Sequence, residues 1–187
     1  MPASLAGVVV AVGASPSEGR AKALKQVPGS STPTTMVEHA VSVVGQRCQP
    51  VFVVALPGQA LPELSAQVVR DDLRGHAPLS AIGRGLHAAA DAGAQHAFLC
   101  SVDATVMSAD VIDVLATQAA KVKADIVLPW DGANHYLAAV YRTELAALVD
   151  DLVAAGERSI AALIARVDSH HVVIDGSALS SLSHAGH

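Results

Sequence analysis

Residues Leu5 to Leu24 read LAGVVVAVGASPSEGRAKAL. Leu5 to Val12 is an unbroken apolar run rich in β-branched valine. It predicts a strand covered on both faces, as in a parallel sheet flanked by helices. Gly13, Ser15, Pro16, Ser17 and Gly19 follow as turn formers, and then Lys22. A buried strand that empties into a small-residue loop with a lysine can seat a phosphate. Backbone N–H groups turn inward, glycine admits close approach, and the ammonium supplies a point charge. The spacing G-x-S-x-x-x-G-x-x-K matches neither G-x-x-x-x-G-K-[ST] nor G-x-G-x-x-G, so neither a P-loop nor a dinucleotide fingerprint is assigned.

Outward from this stretch, strand and helix patterns alternate. Thr32-Pro33 reads as an N-cap followed by proline at the first helical position, predicting a helix over Pro33–Arg47. Val51–Leu56 is a second buried strand, ended by Pro57-Gly58. Gln67–Arg70 is a short third strand that delivers Asp71 and Asp72 to its end. Pro78 opens a helix with Leu79, Ile82, Leu86 and Ala90 inward. Gly83 and Gly85 within it serve either close packing or close approach of a ligand, and Gly93 fits the C′ position. His96–Val102 is a fourth buried strand running into Asp103. Ser108 caps a helix through about Val122.

Asp125–Trp130 is a fifth strand, and Asp131-Gly132 with Asn134 makes a turn. Tyr136–Tyr141 follows too closely for a crossover helix, so it must pair antiparallel to a neighbour. Thr143 reads as the cap of a helix to Ala155, ended by Gly156. Ser159–Val167 is a short helix and Val172–Ile174 a last strand. The small, polar stretch from Gly176 to His187 reads as a loose tail. The whole predicts a doubly wound α/β sheet. In such sheets ligands sit beyond the carboxyl ends of the strands, where the first loop, Asp71 and Asp103 all fall.

The totals agree. The 187 residues suit one domain; 51% are hydrophobic, 16% charged and 3% aromatic, so alanine, valine and leucine must fill the core. A net charge of −5 without a Lys/Arg block argues against nucleic acid as partner, and leaves room for a local positive site. No apolar run reaches membrane-spanning length, and no basic residue precedes Leu5 as in a signal peptide. Cys48 and Cys100 read as buried free thiols in a reducing compartment, which places the protein in the cytoplasm.

Asp103, at a buried strand end facing the loop, suits Mg²⁺, which often takes one or two carboxylates plus substrate phosphates. Asp71 or Asp72 could share the metal or hold a nucleotide hydroxyl. These parts suit nucleotidyl transfer, in which a phosphate oxyanion attacks the α-phosphate of a nucleoside triphosphate and pyrophosphate leaves. The nine histidines form no metal-ligand spacing, although His76 and His135 fall on loops near the rim.

The chain resembles the molybdenum cofactor guanylyltransferase (MobA) family. The likeness lies in VVVAVG with Lys22, VVRDD, APLSAIGRGL, FLCSVD, LPWDGANHYLAAVYRTEL and LVAAGERSIAALI, in this order over nearly the whole chain. It implies a three-layer α/β/α Rossmann-like nucleotidyltransferase fold, with a mostly parallel sheet and one antiparallel strand. It also implies transfer of GMP from Mg-GTP to the phosphate of molybdopterin. By position, Val10, Ala11, Val12 and Gly13 would lie along the nucleotide, and Lys22 would meet the phosphates as the catalytic cation. Asp71 would hold the nucleotide, Asp103 would ligate Mg²⁺, and Pro78-Leu79 matches the family's G-P-L segment.

The chain departs from the signature at several positions. Val12 stands for its first glycine, Ser17-Glu18 for Arg-Met, Ala21 for the Asp before lysine, and Ala77 for the glycine of G-P-L. No proline flanks Asp103, and Ser181-Leu182-Ser183 replaces a closing N-x-N. Two alternatives remain: a transferase with another nucleotide or acceptor, and a non-catalytic relative that binds molybdopterin or a partner protein. The resemblance also implies molybdoenzymes or cofactor-handling proteins as partners.

Overall fold

A computed structural model describes residues 5–12, 22–29, 31–71, 78–103 and 108–174. Gly13, Asp72, His76, Ala77, Glu18 and the tail from Gly176 therefore lie outside the described residues. The strands are β1 (Leu5–Val10), β2 (Val51–Ala55), β3 (Gln67–Arg70), β4 (His96–Ser101), β5 (Ile126–Trp130), β6 (Ala138–Arg142) and β7 (Ser169–Val173). They form one sheet in the order β3-β2-β1-β4-β6-β5-β7. β6 runs antiparallel to both β4 and β5, and every other pair is parallel. Six strands thus share one carboxyl edge.

The helices are α1 (Met36–Gly45), α2 (Pro78–Asp91), α3 (Ala109–Lys121), α4 (Leu145–Ala154) and α5 (Ile160–Ile164). Alternate residues of β1 feed two cores. Ala6, Val8 and Val10 pack with the apolar faces of α2, α4 and α5, while Val9 and Ala11 pack with those of α1 and α3. This two-sided burial explains why the β1 sequence shows no polar alternation.

Gly83 and Gly85 are explained by packing. A Cβ at Gly83 would come within 2.7 Å of Val149 Cγ1 on α4, and one at Gly85 would run into the Val8 side chain of β1. α2 therefore lies directly on the central strand. Gly93 and Gly156 adopt φ of +88° and +91° just past their helices, as their C′ roles require.

Several element boundaries differ from the sequence expectation, and the starts of α1, α4, β6 and β7 have identifiable causes. The cap of α1 is Thr35, not Thr32. Thr35 accepts from the Glu38 N–H and Glu38 accepts from the Thr35 N–H, a reciprocal box that outcompetes the Thr-Pro pair. The preceding residues are instead held in a bridge, with Val27 N–H on Thr34 O and Met36 N–H on Lys25 O.

Thr143 caps nothing. It is buried and its hydroxyl donates to Ala94 O at 2.7 Å, so α4 begins after Glu144 without a side-chain cap. β6 starts at Ala138, because Tyr136 O accepts from the buried Tyr141 hydroxyl. β7 begins at Ser169, three residues earlier than expected. It is the last strand of the sheet and none of its five residues is buried, so His170 and His171, which point to opposite faces, are both tolerated.

Cys48 and Cys100 are free and buried, as expected. Burial pushes the Cys48 thiol up to about 12 and raises that of Cys100 as well. Among the described residues no helix is long and apolar enough to cross a membrane.

Candidate active site

The strand order changes direction between β1 and β4. From β1 the chain winds outward to β2 and β3, then crosses back to β4 on the other side of β1. Val10 stands level with Ser101, so the two strands deliver Val12 and Asp103 to the same height on the carboxyl edge. This is the switch point at which open α/β sheets bind ligands.

Lys22 reaches this point. Residues 22–24 form a helical turn, and Lys22 Nζ lies 3.3 Å from Asp103 Oδ2, with both side chains a little under half exposed. Partial burial alone would raise the Asp103 pKa. A hydrogen bond from Ser101 and the attraction of Lys22 outweigh it, and hold the carboxyl below its ordinary value. Asp103 is thus a carboxylate across the neutral range. Val10 and Ala11 are buried, and Val12 packs its branched side chain against the core shared with α2.

Asp71 leaves β3 at the same edge, and its N–H donates to Ala55 O at 3.1 Å. Its carboxylate lies 3.5 Å from Arg84 Nε of α2. Arg84 was not singled out from the sequence. Its signal is its place between Gly83 and Gly85: the two glycines seat the helix on α4 and β1, and the residue between them is carried to the rim. Pro78 is exposed at the start of α2, whereas the Leu79 side chain is fully buried in the core.

A second polar group lines the carboxyl ends of β5 and β7. His135 Nε2 lies 2.7 Å from Asp131 Oδ1, and this hydrogen bond lowers the Asp131 pKa. His171 Nε2 lies 2.8 Å from Asn134 Oδ1, and its ring meets Trp130 edge-on at 5.8 Å. The rim thus has a charged half at β1, β3 and β4 and a histidine-bearing half at β5 and β7.

Among the described residues no three His, Cys, Asp or Glu side chains converge on a metal-sized site. One ionised carboxylate at a strand end still fits Mg²⁺, which fills its shell from substrate phosphates and water.

The sequence model of the MobA-like NTP transferase domain matches residues 7–172. The chain belongs to this family. A MobA-like relative from Mycobacterium marinum, named "Probable molybdenum cofactor guanylyltransferase", is 56% identical over 175 residues, 94% of this chain and 86% of its own. The solved molybdopterin-guanine dinucleotide biosynthesis protein A of Archaeoglobus fulgidus superposes with a TM-score of 0.71 at 14% identity, covering 96% of each chain. The 2-C-methyl-D-erythritol 4-phosphate cytidylyltransferase of Thermus thermophilus gives 0.66 at 15% identity, covering 95% of this chain and 96% of its own. At such identities the MobA-like chain shares the fold of both, and the choice of nucleotide must be argued from closer relatives.

Proposed function

We propose that this protein is a molybdenum cofactor guanylyltransferase of the cytoplasm, which transfers GMP from Mg-GTP to the terminal phosphate of molybdopterin. The observation that carries the reading is the Lys22–Asp103 pair at the β1/β4 switch point, in a chain 56% identical to a relative of that name.

The acceptor's phosphate oxygen attacks the α-phosphorus of GTP. The bond from that phosphorus to the bridging oxygen breaks, and pyrophosphate leaves with the electron pair. The protein aligns the two reactants and meets the charge that develops on the phosphoryl oxygens. Lys22 supplies positive charge at the α-phosphate. Asp103 would hold Mg²⁺, and the ion, when bound, neutralises phosphate charge and stabilises the leaving pyrophosphate. In the free protein Lys22 and Asp103 neutralise each other, which keeps the ammonium beside the place a triphosphate enters.

Asp71, steadied by Arg84, holds the nucleotide, and the backbone of Val10 to Val12 flanks it. Val12 turns its side chain into the core, so the substitution for glycine leaves the peptide available on the rim. The histidine-bearing half of the rim faces the acceptor.

The test is radiolabel transfer from α-labelled GTP to molybdopterin. Lys22→Ala should lower turnover about 10²-fold or more if the lysine stabilises transition-state charge. Equal use of CTP and GTP by the wild-type enzyme would discard the guanylyl assignment.

A further inference from the structure

The ladder between β1 and β2 holds an irregularity at its carboxyl end. Val10 is level with Val54, and the Ala11 N–H donates to Val54 O at 2.9 Å. In a regular parallel ladder the next rung runs from the Leu56 N–H to Ala11 O. It does not do so here. The Leu56 N–H donates to Gln59 Oε1 at 3.0 Å, and Gln59 Nε2 donates to Ala11 O at 2.9 Å. The primary amide of Gln59, 4% exposed, is inserted where the rung would be.

The insertion is braced. Arg70, at the end of β3, donates from Nη1 to Leu56 O at 2.8 Å and to Gln59 O at 2.9 Å. The Gln59 N–H donates to Leu56 O at 3.2 Å. A direct bond between Leu56 and Ala11 would satisfy both peptide groups without ordering a long side chain. The glutamine costs conformational entropy and desolvation, and leaves the hydrogen-bond count of those two groups unchanged. What it changes is the spacing: the two strands part by one amide at the edge where β1 feeds the first loop.

We propose that Gln59 is a positioning residue for the nucleotide. Its amide acts as a spacer that stops β1 from zipping onto β2, and so keeps the Ala11–Val12 backbone open toward the triphosphate. This rests on the guanylyltransferase reading. Gln59 touches no reacting atom; it acts through the backbone of Ala11.

The experiment compares Gln59→Leu and Gln59→Asn with Thr143→Val. Leucine fills the space without bonding, and asparagine is one methylene too short to span it. Thr143→Val removes a buried hydrogen bond at the opposite edge of the sheet and controls for lost stability. Both Gln59 variants should raise KM for Mg-GTP about tenfold while kcat at saturating GTP and KM for molybdopterin hold. Thr143→Val should lower Tm and leave all three constants unchanged.

In the wild-type protein, the Gln59 side-chain NH₂ should resist hydrogen exchange in ¹⁵N spectra. This reading needs no variant and no turnover. Unchanged KM for Mg-GTP in either folded Gln59 variant, or a freely exchanging side-chain amide, would overturn the spacer. Failure of the wild-type protein to bind Mg-GTP in calorimetry would instead overturn the guanylyltransferase reading, and the proposal with it.

Discussion

Gly85 sits mid-helix in α2, and replacing it with alanine sets two effects against each other. Helix propensity alone favours alanine by about 1 kcal/mol. Against this, the new methyl would land on Val8 Cγ1 well inside van der Waals contact. Val8 is fully buried in the central strand, paired to β2 on one side and β4 on the other, so it cannot retreat without moving the sheet. Overpacking of a tight core costs typically 1–3 kcal/mol, and a β-branched neighbour fixed on a central strand belongs at the upper end, about 3 kcal/mol. The net expectation for Gly85→Ala is a loss of about 2 kcal/mol. For a chain of this size that corresponds to a Tm drop of about 4–8 °C. Urea unfolding followed by far-UV circular dichroism measures it, with the midpoint falling at unchanged slope. A Gly85→Ala protein as stable as wild type would refute the packing account and return Gly85 to the alternative of ligand approach.

Thr35→Ala removes the reciprocal cap of α1 and should cost about 1 kcal/mol, read by the same unfolding assay. Asp103 has a folded-state pKa below its ordinary value, so its contribution to stability is present above that value and is lost as pH falls through the lowered one. The stability gap between wild type and Asp103→Asn should therefore be flat from neutral pH down to about pH 5 and close below it, a trend that unfolding curves across that range would reveal. Thr143→Val leaves Ala94 O without its hydroxyl donor and should destabilise by about 1–3 kcal/mol in the same measurement. A neutral substitution would refute the stabilising role of the buried Thr143–Ala94 hydrogen bond.

The fold was legible wherever a segment is buried on both sides. β1, β2 and β4 announce themselves as apolar runs because no polar residue is tolerated between two helical layers. β6 was legible by subtraction, since too few residues separate it from β5 for a crossover. β7 was half hidden, because an edge strand carries His170 and His171 at no penalty. The two threonine caps misled for a local reason. A threonine before a helical pattern has the same chemistry whether its hydroxyl meets the helix or a distant carbonyl, and only tertiary contact decides between them.

In the candidate site, Lys22 and Asp103 could be named because each follows a readable element, and the strand order brings them to 3.3 Å. Arg84 and Gln59 could not. Arg84 is one charge on a helix whose register on the sheet is set by its glycine neighbours. Gln59 sits in a loop after Pro57-Gly58, where a polar residue is unremarkable, and its burial arises only once Ala11 and Leu56 lie side by side.

The two buried thiols make the chain its own reporter. Alkylation requires thiolate, and burial holds both sulfurs protonated at neutral pH, so neither reacts in the closed state. Their routes to solvent differ. Cys48 lies just past the end of α1, where fraying of the last helical turn uncovers it. Cys100 lies in β4 between β1 and β6, where only separation of the sheet exposes it. The labelling rate of Cys48 should therefore follow a local opening of α1, and that of Cys100 the global unfolding equilibrium. One reagent and one mass spectrum would time the two events separately in the unmodified protein.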